Sequence, residues 1–214
     1  MTQRHYNPLD RLLINLDTGL RTIFGGVHTT GRANPAKNLE EPDLNKNEKD
    51  LAGRFMRINH AGEVAAQGLY QGQALTARLP KVRAQMEQAA LEENDHLDWC
   101  EKRAKELGKN TSLLDPFWYL GSVAIGAAAG IAGDKWSLGF VAETERQVVK
   151  HLDSHLLHLP EHDKKTRAIL QQMKSDEAQH ATSATKSGGA ELPAPVKKAM
   201  QLASKVMTKT AYWI

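Results

Sequence analysis

The sequence predicts an all-α protein: four long helices in two hairpins, with shorter amphipathic helices around them. Three observations carry this. No segment shows the period-two alternation of a half-buried strand. Ala, Leu, Gln, Glu and Lys are common while aromatic residues make up only 6%, a balance that favours helix over sheet. Long stretches of helical apolar spacing are punctuated by Pro80, Gly108, Pro160 and Gly188-Gly189.

In chain order, residues 8–24 read as an amphipathic helix. Asn7 and Pro8 give its start, and Leu9, Leu12, Leu13, Leu16, Leu20, Ile23 and Phe24 recur at helical spacing before Gly25-Gly26. The stretch "GGVHTTGRANPAKNLEEPDLNKNEKD" is polar, rich in Pro and Gly and without period, as in a linker or long loop. Residues 1–47 are therefore expected to form an N-terminal helix plus linker, and 48–214 the main domain. A first long helix runs from about Asn47 to Arg78, where Leu79-Pro80 breaks it. A second begins near Pro80 and ends at Gly108. After the connection "KNTSLLDP" comes an apolar segment, 117–133. A third long helix takes Asp134 as its cap and stops before Pro160; a fourth runs from about Glu161 to Ser187. The tail 193–212 is a further amphipathic helix with Val196, Ala199, Met200, Ala203, Val206 and Met207 on one face.

Composition bounds the function. With 41% hydrophobic and 25% charged residues the chain can bury a core, and a formal charge of +3 without a clustered basic stripe argues against nucleic acid. The single cysteine, Cys100, excludes an internal disulfide, fits a reducing compartment and reads as a small apolar side chain. The opening "MTQRHYNPLDRLL" lacks the apolar run and cleavage site of a secretory signal.

Chemistry is concentrated in two Glu-x-x-His pairs, Glu93 with His96 and Glu177 with His180. On a helix, positions i and i+3 share a face, so each pair presents a carboxylate and an imidazole to one point. Glu63 lies 17 residues before Pro80 and Glu93 lies 13 after it, roughly 25 and 20 Å from the turn and nearly level in an antiparallel hairpin. Glu145 lies 15 residues before Pro160 and Glu177 lies 17 after, again nearly level; Glu143 competes with Glu145 for that place. Four carboxylates and two imidazoles at one height of a four-helix bundle are the ligand set of ferritin-like di-iron or di-manganese carboxylate proteins. Oxygen donors suit oxidised iron, bridging carboxylates hold two cations close, and metal offsets the cost of burying the charges.

Asp176, just before Glu177, suits either an exposed helix charge or an acceptor for the far nitrogen of His96. His60, one turn before Glu63, suits either a partner of the same site or a packed histidine. His151, His155, His158 and His162 form a separate group, read mostly as solvated charges near a helix C-terminus. No Ser-His-Asp order, phosphate loop or dinucleotide fingerprint appears.

The stretch "RINHAGEVAAQGLYQGQ", with "EENDHL", "AETERQ" and "DEAQH", resembles the demethoxyubiquinol hydroxylase family of ubiquinone biosynthesis over most of residues 48–214. The resemblance implies a ferritin-like, membrane-associated monooxygenase with two iron ions, using O2 to hydroxylate the ring of a polyprenyl demethoxyquinol before the final O-methylation. Carried over by motif, the iron ligands are Glu63, Glu93, His96, Glu145, Glu177 and His180, which selects Glu145 over Glu143. It also implies a peripheral position on the cytoplasmic face of a bacterial membrane. Its insoluble substrate must arrive from lipid.

The segment 117–133, led by Phe117, Trp118 and Tyr119, suits insertion at the headgroup boundary, and its small residues equally suit close packing in the bundle. The C-terminal "KKAMQLASKVMTKTAYWI" sets lysines beside an apolar face, as in a surface-lying anchor. Electrons come from a partner or the quinol itself, and a homo-oligomer or biosynthetic complex is compatible with the reading. The competing functions are a ferritin-type iron store, a rubrerythrin-like or manganese-catalase-like peroxide enzyme, and a metal-free lipid-binding or assembly module.

Overall fold

Seven helices and no strand follow one another among the described residues: α1 (Pro8–Phe24), α2 (Lys46–Thr76), α3 (Pro80–Glu106), α4 (Asp115–Ile131), α5 (Asp134–His158), α6 (Lys164–Lys186) and α7 (Ala194–Ala211). The computed structural model describes residues 8–214, without the side chains of residues 8, 9, 11 and 12. The expected start at Asn7 and the apolar contributions of Leu9 and Leu12 lie outside the described residues.

Local chemistry sets the helix ends. Asn45 caps α2 through a capping box: its side chain accepts from the Asn47 and Glu48 amides while Glu48 reaches back to the Asn45 amide. Ala77 turns extended after α2, and Pro80 occupies the first turn of α3, where its missing N–H costs nothing. Gly108 and Gly188 close α3 and α6 with φ of +74° and +101°, a region L side chains avoid. Two starts differ from expectation. Gly133 occupies the cap of α5, and the Asp134 carboxylate instead accepts from the Arg78 and Leu79 amides at 3.0 and 2.8 Å, pinning the α2–α3 turn. Helix α6 starts at Lys164 because the Asp163 side chain caps the Thr166 amide.

Helices α2 with α3 and α5 with α6 pair as two hairpins, forming an all-α bundle. Its interior is layered. Met56, Trp99, Cys100, Leu152, Leu170 and Met173 belong to one apolar cluster; Tyr70, Met86, Leu138, Val141 and Ala184 belong to another. On each long helix the predicted ligand positions fall between these two sets, so a charged layer is sandwiched between apolar ones.

The aperiodic linker lies along the bundle. Ala36 and Leu44 are buried in the first cluster, and the buried Arg103 guanidinium pairs with Glu41, Glu106 and Asp163, tying the linker to α3 and the α5–α6 turn. Helix α4 packs on α2 through small residues: a Cβ at Gly72 would strike the Val123 carbonyl oxygen, and one at Gly126 the Leu69 carbonyl. Its outer side keeps Phe117, Leu120, Ile125 and Ile131 exposed. Of the three aromatics expected at lipid, Phe117 is 68% exposed, Trp118 is half-buried and Tyr119 is only 4% exposed. Tyr119 is thus a correction: it packs with Val64 and Leu97, and its hydroxyl donates to Gln71. No described helix is long and apolar enough to cross a membrane.

Of the histidine group, His158 and His162 are exposed as expected, while His155 departs from expectation. His155 is buried and stacked on Phe55, ring centroids 3.9 Å apart, because this face of α5 turns towards α2. Burial, reinforced by His151 and His158, pushes its pKa down to about 2, so it is neutral and not a solvated charge.

Candidate metal centre

Each half of the bundle positions its candidate ligands by the same device: a glutamate on the first helix, then a Glu-x-x-His turn on the second. Glu63 on α2, Glu93 and His96 on α3, and Glu145 and Glu177 on α5 and α6 are all buried. Donor atoms from Glu63, Glu93, His96 and Glu177 lie within 4.8 Å of one another.

The arrangement has two lobes. Glu93 Oε2 lies 2.7 Å from His96 Nδ1, and its other oxygen lies 3.1 Å from His180 Nδ1. Glu177 repeats this, with Oε1 3.1 Å from His96 Nδ1 and Oε2 3.4 Å from His180 Nδ1. Two carboxylates therefore span two imidazoles. Glu63 flanks the His96 lobe, its Oε2 3.8 Å from Nδ1, while Glu145 stands beside Glu177 and accepts from the Tyr70 hydroxyl.

The donor atoms fit metal. Both oxygens of Glu93 and of Glu177, and Nδ1 of both histidines, are buried without a hydrogen-bond partner despite these short separations. Orphaned buried carboxylates are costly and rare, and cations at this point would satisfy all of them. The outer nitrogens, by contrast, are held: Asp176 Oδ2 lies 2.9 Å from His96 Nε2, and Glu92 Oε2 lies 2.7 Å from His180 Nε2. An ionised carboxylate only accepts, so each Nε2 carries hydrogen, and a metal that displaced the inner proton would meet the Nδ1 lone pair.

The electrostatics agree. Burial, with the Glu93 and Glu177 charges, holds the Glu63 carboxyl well above its usual range, and burial with Glu177 and Glu93 does the same to Glu145. Burial works against the His180 cation, but the Glu177 and Glu93 carboxylates beside it push its pKa up to about 12; His96 is likewise raised well above normal. Without metal, protons hold the carboxylates together. Metal would replace them.

Other expected residues lie elsewhere. Glu143 accepts from Gln147 at 2.8 Å and faces Lys197. His60 Nδ1 lies 3.2 Å from Asp115, and no hydrogen bond or ion pair among the described residues joins it to the cluster. Nothing in the sequence marks Glu92 or its contact with His180, which comes from another helix. Tyr70, by contrast, stood at helical spacing from Glu63, seven residues on.

Comparison with known proteins follows the same line. Residues 50–211 match the family described as "Ubiquinone biosynthesis protein COQ7". A relative from Nitrosococcus oceani named 3-demethoxyubiquinol 3-hydroxylase is 61% identical over the whole of both chains. Relatives of the same name from Stutzerimonas stutzeri and Acinetobacter baylyi are 57% and 54% identical, covering 100% and 99% of this chain and 99% and 100% of their own. With its layered helical bundle and its buried carboxylate–imidazole centre, the chain belongs to the COQ7 family of ubiquinone biosynthesis proteins.

Proposed function

We propose that this chain is a di-iron monooxygenase that hydroxylates the ring of a demethoxyubiquinol, with residues 48–214 as its catalytic domain and 1–47 as an N-terminal helix and linker. The observation that carries the reading is the pair of buried carboxylates, Glu93 and Glu177, each spanning both imidazoles with its oxygens otherwise unpartnered. The relatives' name, 3-demethoxyubiquinol 3-hydroxylase, supports the substrate class.

In this reading Glu63, Glu93, His96, Glu145, Glu177 and His180 hold two iron ions, which when bound supply the redox chemistry that activates O2. One oxygen atom enters a ring C–H bond as hydroxyl and the other leaves as water, consuming two electrons and two protons. The chain's own groups prepare the site. Asp176 and Glu92 fix the imidazole orientations, and the apolar layers either side exclude water. Burial and the Glu145 charge keep the Tyr70 hydroxyl protonated, so it holds a hydrogen on Glu145 Oε1.

The quinol arrives from lipid in this reading. Helices α1, α4 and α7 all pack on α2, and they leave Leu16, Leu20, Phe117, Leu120, Leu202 and Trp213 exposed. Lys198, Lys205 and Lys209 of α7 suit anionic headgroups. The site is then reached by a peripheral protein on a membrane surface. Vesicle flotation checks this: Phe117→Glu with Leu120→Glu should leave the protein unbound, and full retention contradicts it.

Activity is tested directly with iron-loaded protein, a reductant, O2 and a short-chain demethoxyubiquinol. A product heavier by one oxygen atom is expected from the wild type and none from Glu177→Ala. Equal turnover by both would refute the assignment.

A further inference from the structure

Residues 28–32, in a stretch with no helical pattern, reach the outer side of the centre. The Thr30 amide donates to Asp95 Oδ1 at 2.8 Å, and its hydroxyl donates to Oδ2. Arg32 Nε donates to Asp95 Oδ2 at 2.8 Å, while its Nη1 donates to Asp176 Oδ2 at 2.9 Å. Asn94 Nδ2 adds a bond to the His28 carbonyl at 3.0 Å. Asp95 is fully buried, and among the described residues its hydrogen-bond partners are Thr30 and Arg32 alone.

The Asp176 oxygen that receives Arg32 is the same Oδ2 that lies against His96 Nε2. The guanidinium also sits 5.1 Å over the Trp99 ring, which packs against the His96 ring with centroids 5.5 Å apart. On the reading that this centre holds metal, we propose that Arg32 is a positioning residue for His96. It fixes the Asp176 carboxylate between two helices, so that docking of residues 28–32 and metal loading stabilise each other.

The physical argument is one of geometry. Asp176 also accepts from Gln172 through Oδ1, which leaves Oδ2 to be aimed by Arg32. The planar fork of arginine reaches two carboxylates from one rigid group, and the buried Asp95 anchors it; a lysine, a hydrated point charge, does not span them. His96 is thereby held with Nδ1 inward by residues that touch neither the metal position nor each other in sequence. Coupling between docking and loading must then be reciprocal.

The test uses the full chain, anaerobic titration with Fe(II), and hydrogen exchange at the Thr30 amide. Wild type should bind two ions, and loading should slow Thr30 exchange. Arg32→Ala should weaken one of the two ions about tenfold, the lower end for an outer partner of a metal ligand. Combined with Asp176→Asn, the losses should be clearly less than additive, since both act through His96. Arg32→Lys, which keeps the charge, should show the same weakening if the alanine variant does not fold. A purely structural strap predicts otherwise: Arg32→Ala or Arg32→Lys frees the Thr30 amide but leaves both iron affinities unchanged. That result, or additive losses, overturns the proposal while the metal centre stands. A wild type that binds no iron removes the centre itself, and the proposal with it.

Discussion

Glu92 Oε2 sits 2.7 Å from the outer nitrogen of His180, on the opposite lobe from the Asp176–His96 contact at 2.9 Å. Each imidazole thus has its own carboxylate behind it. The Glu92 side chain is 35% exposed, so its removal should not unfold the bundle. Glu92→Ala is expected to lower affinity for one Fe(II) by about 10- to 100-fold with helicity intact, measured by anaerobic titration. Unchanged affinity would show that Glu92 is an ordinary surface charge.

Metal should stabilise the fold. Ligand present at 100 times its dissociation constant adds about 2.7 kcal/mol, which for a chain of this size raises Tm by roughly 5–10 °C. Scanning calorimetry with and without Fe(II) or Mn(II) measures it. The sign of the pH dependence follows from the imidazoles. His180, pushed up to about 12 by burial-opposed contacts with Glu177 and Glu93, and His96, also raised, bind protons that metal must displace. Apparent affinity should fall on acidification, about tenfold per pH unit for each proton released. An affinity flat between pH 8 and 6 would contradict this.

His155 predicts acid lability independent of metal. Its folded pKa of about 2 lies below the ordinary histidine value, so the unfolded chain binds the extra proton. The stability it contributes is complete above about pH 6.5 and is lost as pH falls from there towards 2. By pH 5.5 the loss is on the order of 1 kcal/mol. His155→Phe keeps the stack on Phe55 and removes the titration, so urea melts at pH 7.5 and 5.5 should differ less than in wild type. An identical difference would rule the mechanism out.

The α2–α4 seam is the least forgiving contact. At Gly72 a methyl group meets the backbone of Val123, which cannot rotate away. Gly72→Ala should cost about 1–3 kcal/mol by overpacking even though alanine favours helix, seen as a lower chemical-denaturation midpoint. Gly62→Ala, where a methyl meets nothing, is the control and should not destabilise.

Most of the bundle was legible because its signals are local. The long helices start and stop within about three residues of the positions that Pro80, Gly108, Pro160 and Gly188 suggest. Helical arithmetic from those turns also places Glu63, Glu93, Glu145 and Glu177 level; all four are buried, donor atoms of Glu63, Glu93 and Glu177 lie within 4.8 Å of one another, and Glu145 stands beside Glu177. What escaped is set by contacts between distant segments. Arg32 reaches Asp95 and Asp176 across 63 and 144 residues, from a stretch with no period to read. Tyr119 and His155 carry residue types common at interfaces and surfaces, and only the packing of α4 and α5 against α2 buries them.

Iron-edge anomalous diffraction from iron-loaded crystals tests the two-ion centre most directly. Two peaks should appear inside the bundle, one within bonding distance of His96 Nδ1 and one of His180 Nδ1, with Glu93 and Glu177 reaching both. A single peak, or iron only on the outer surface, would contradict it.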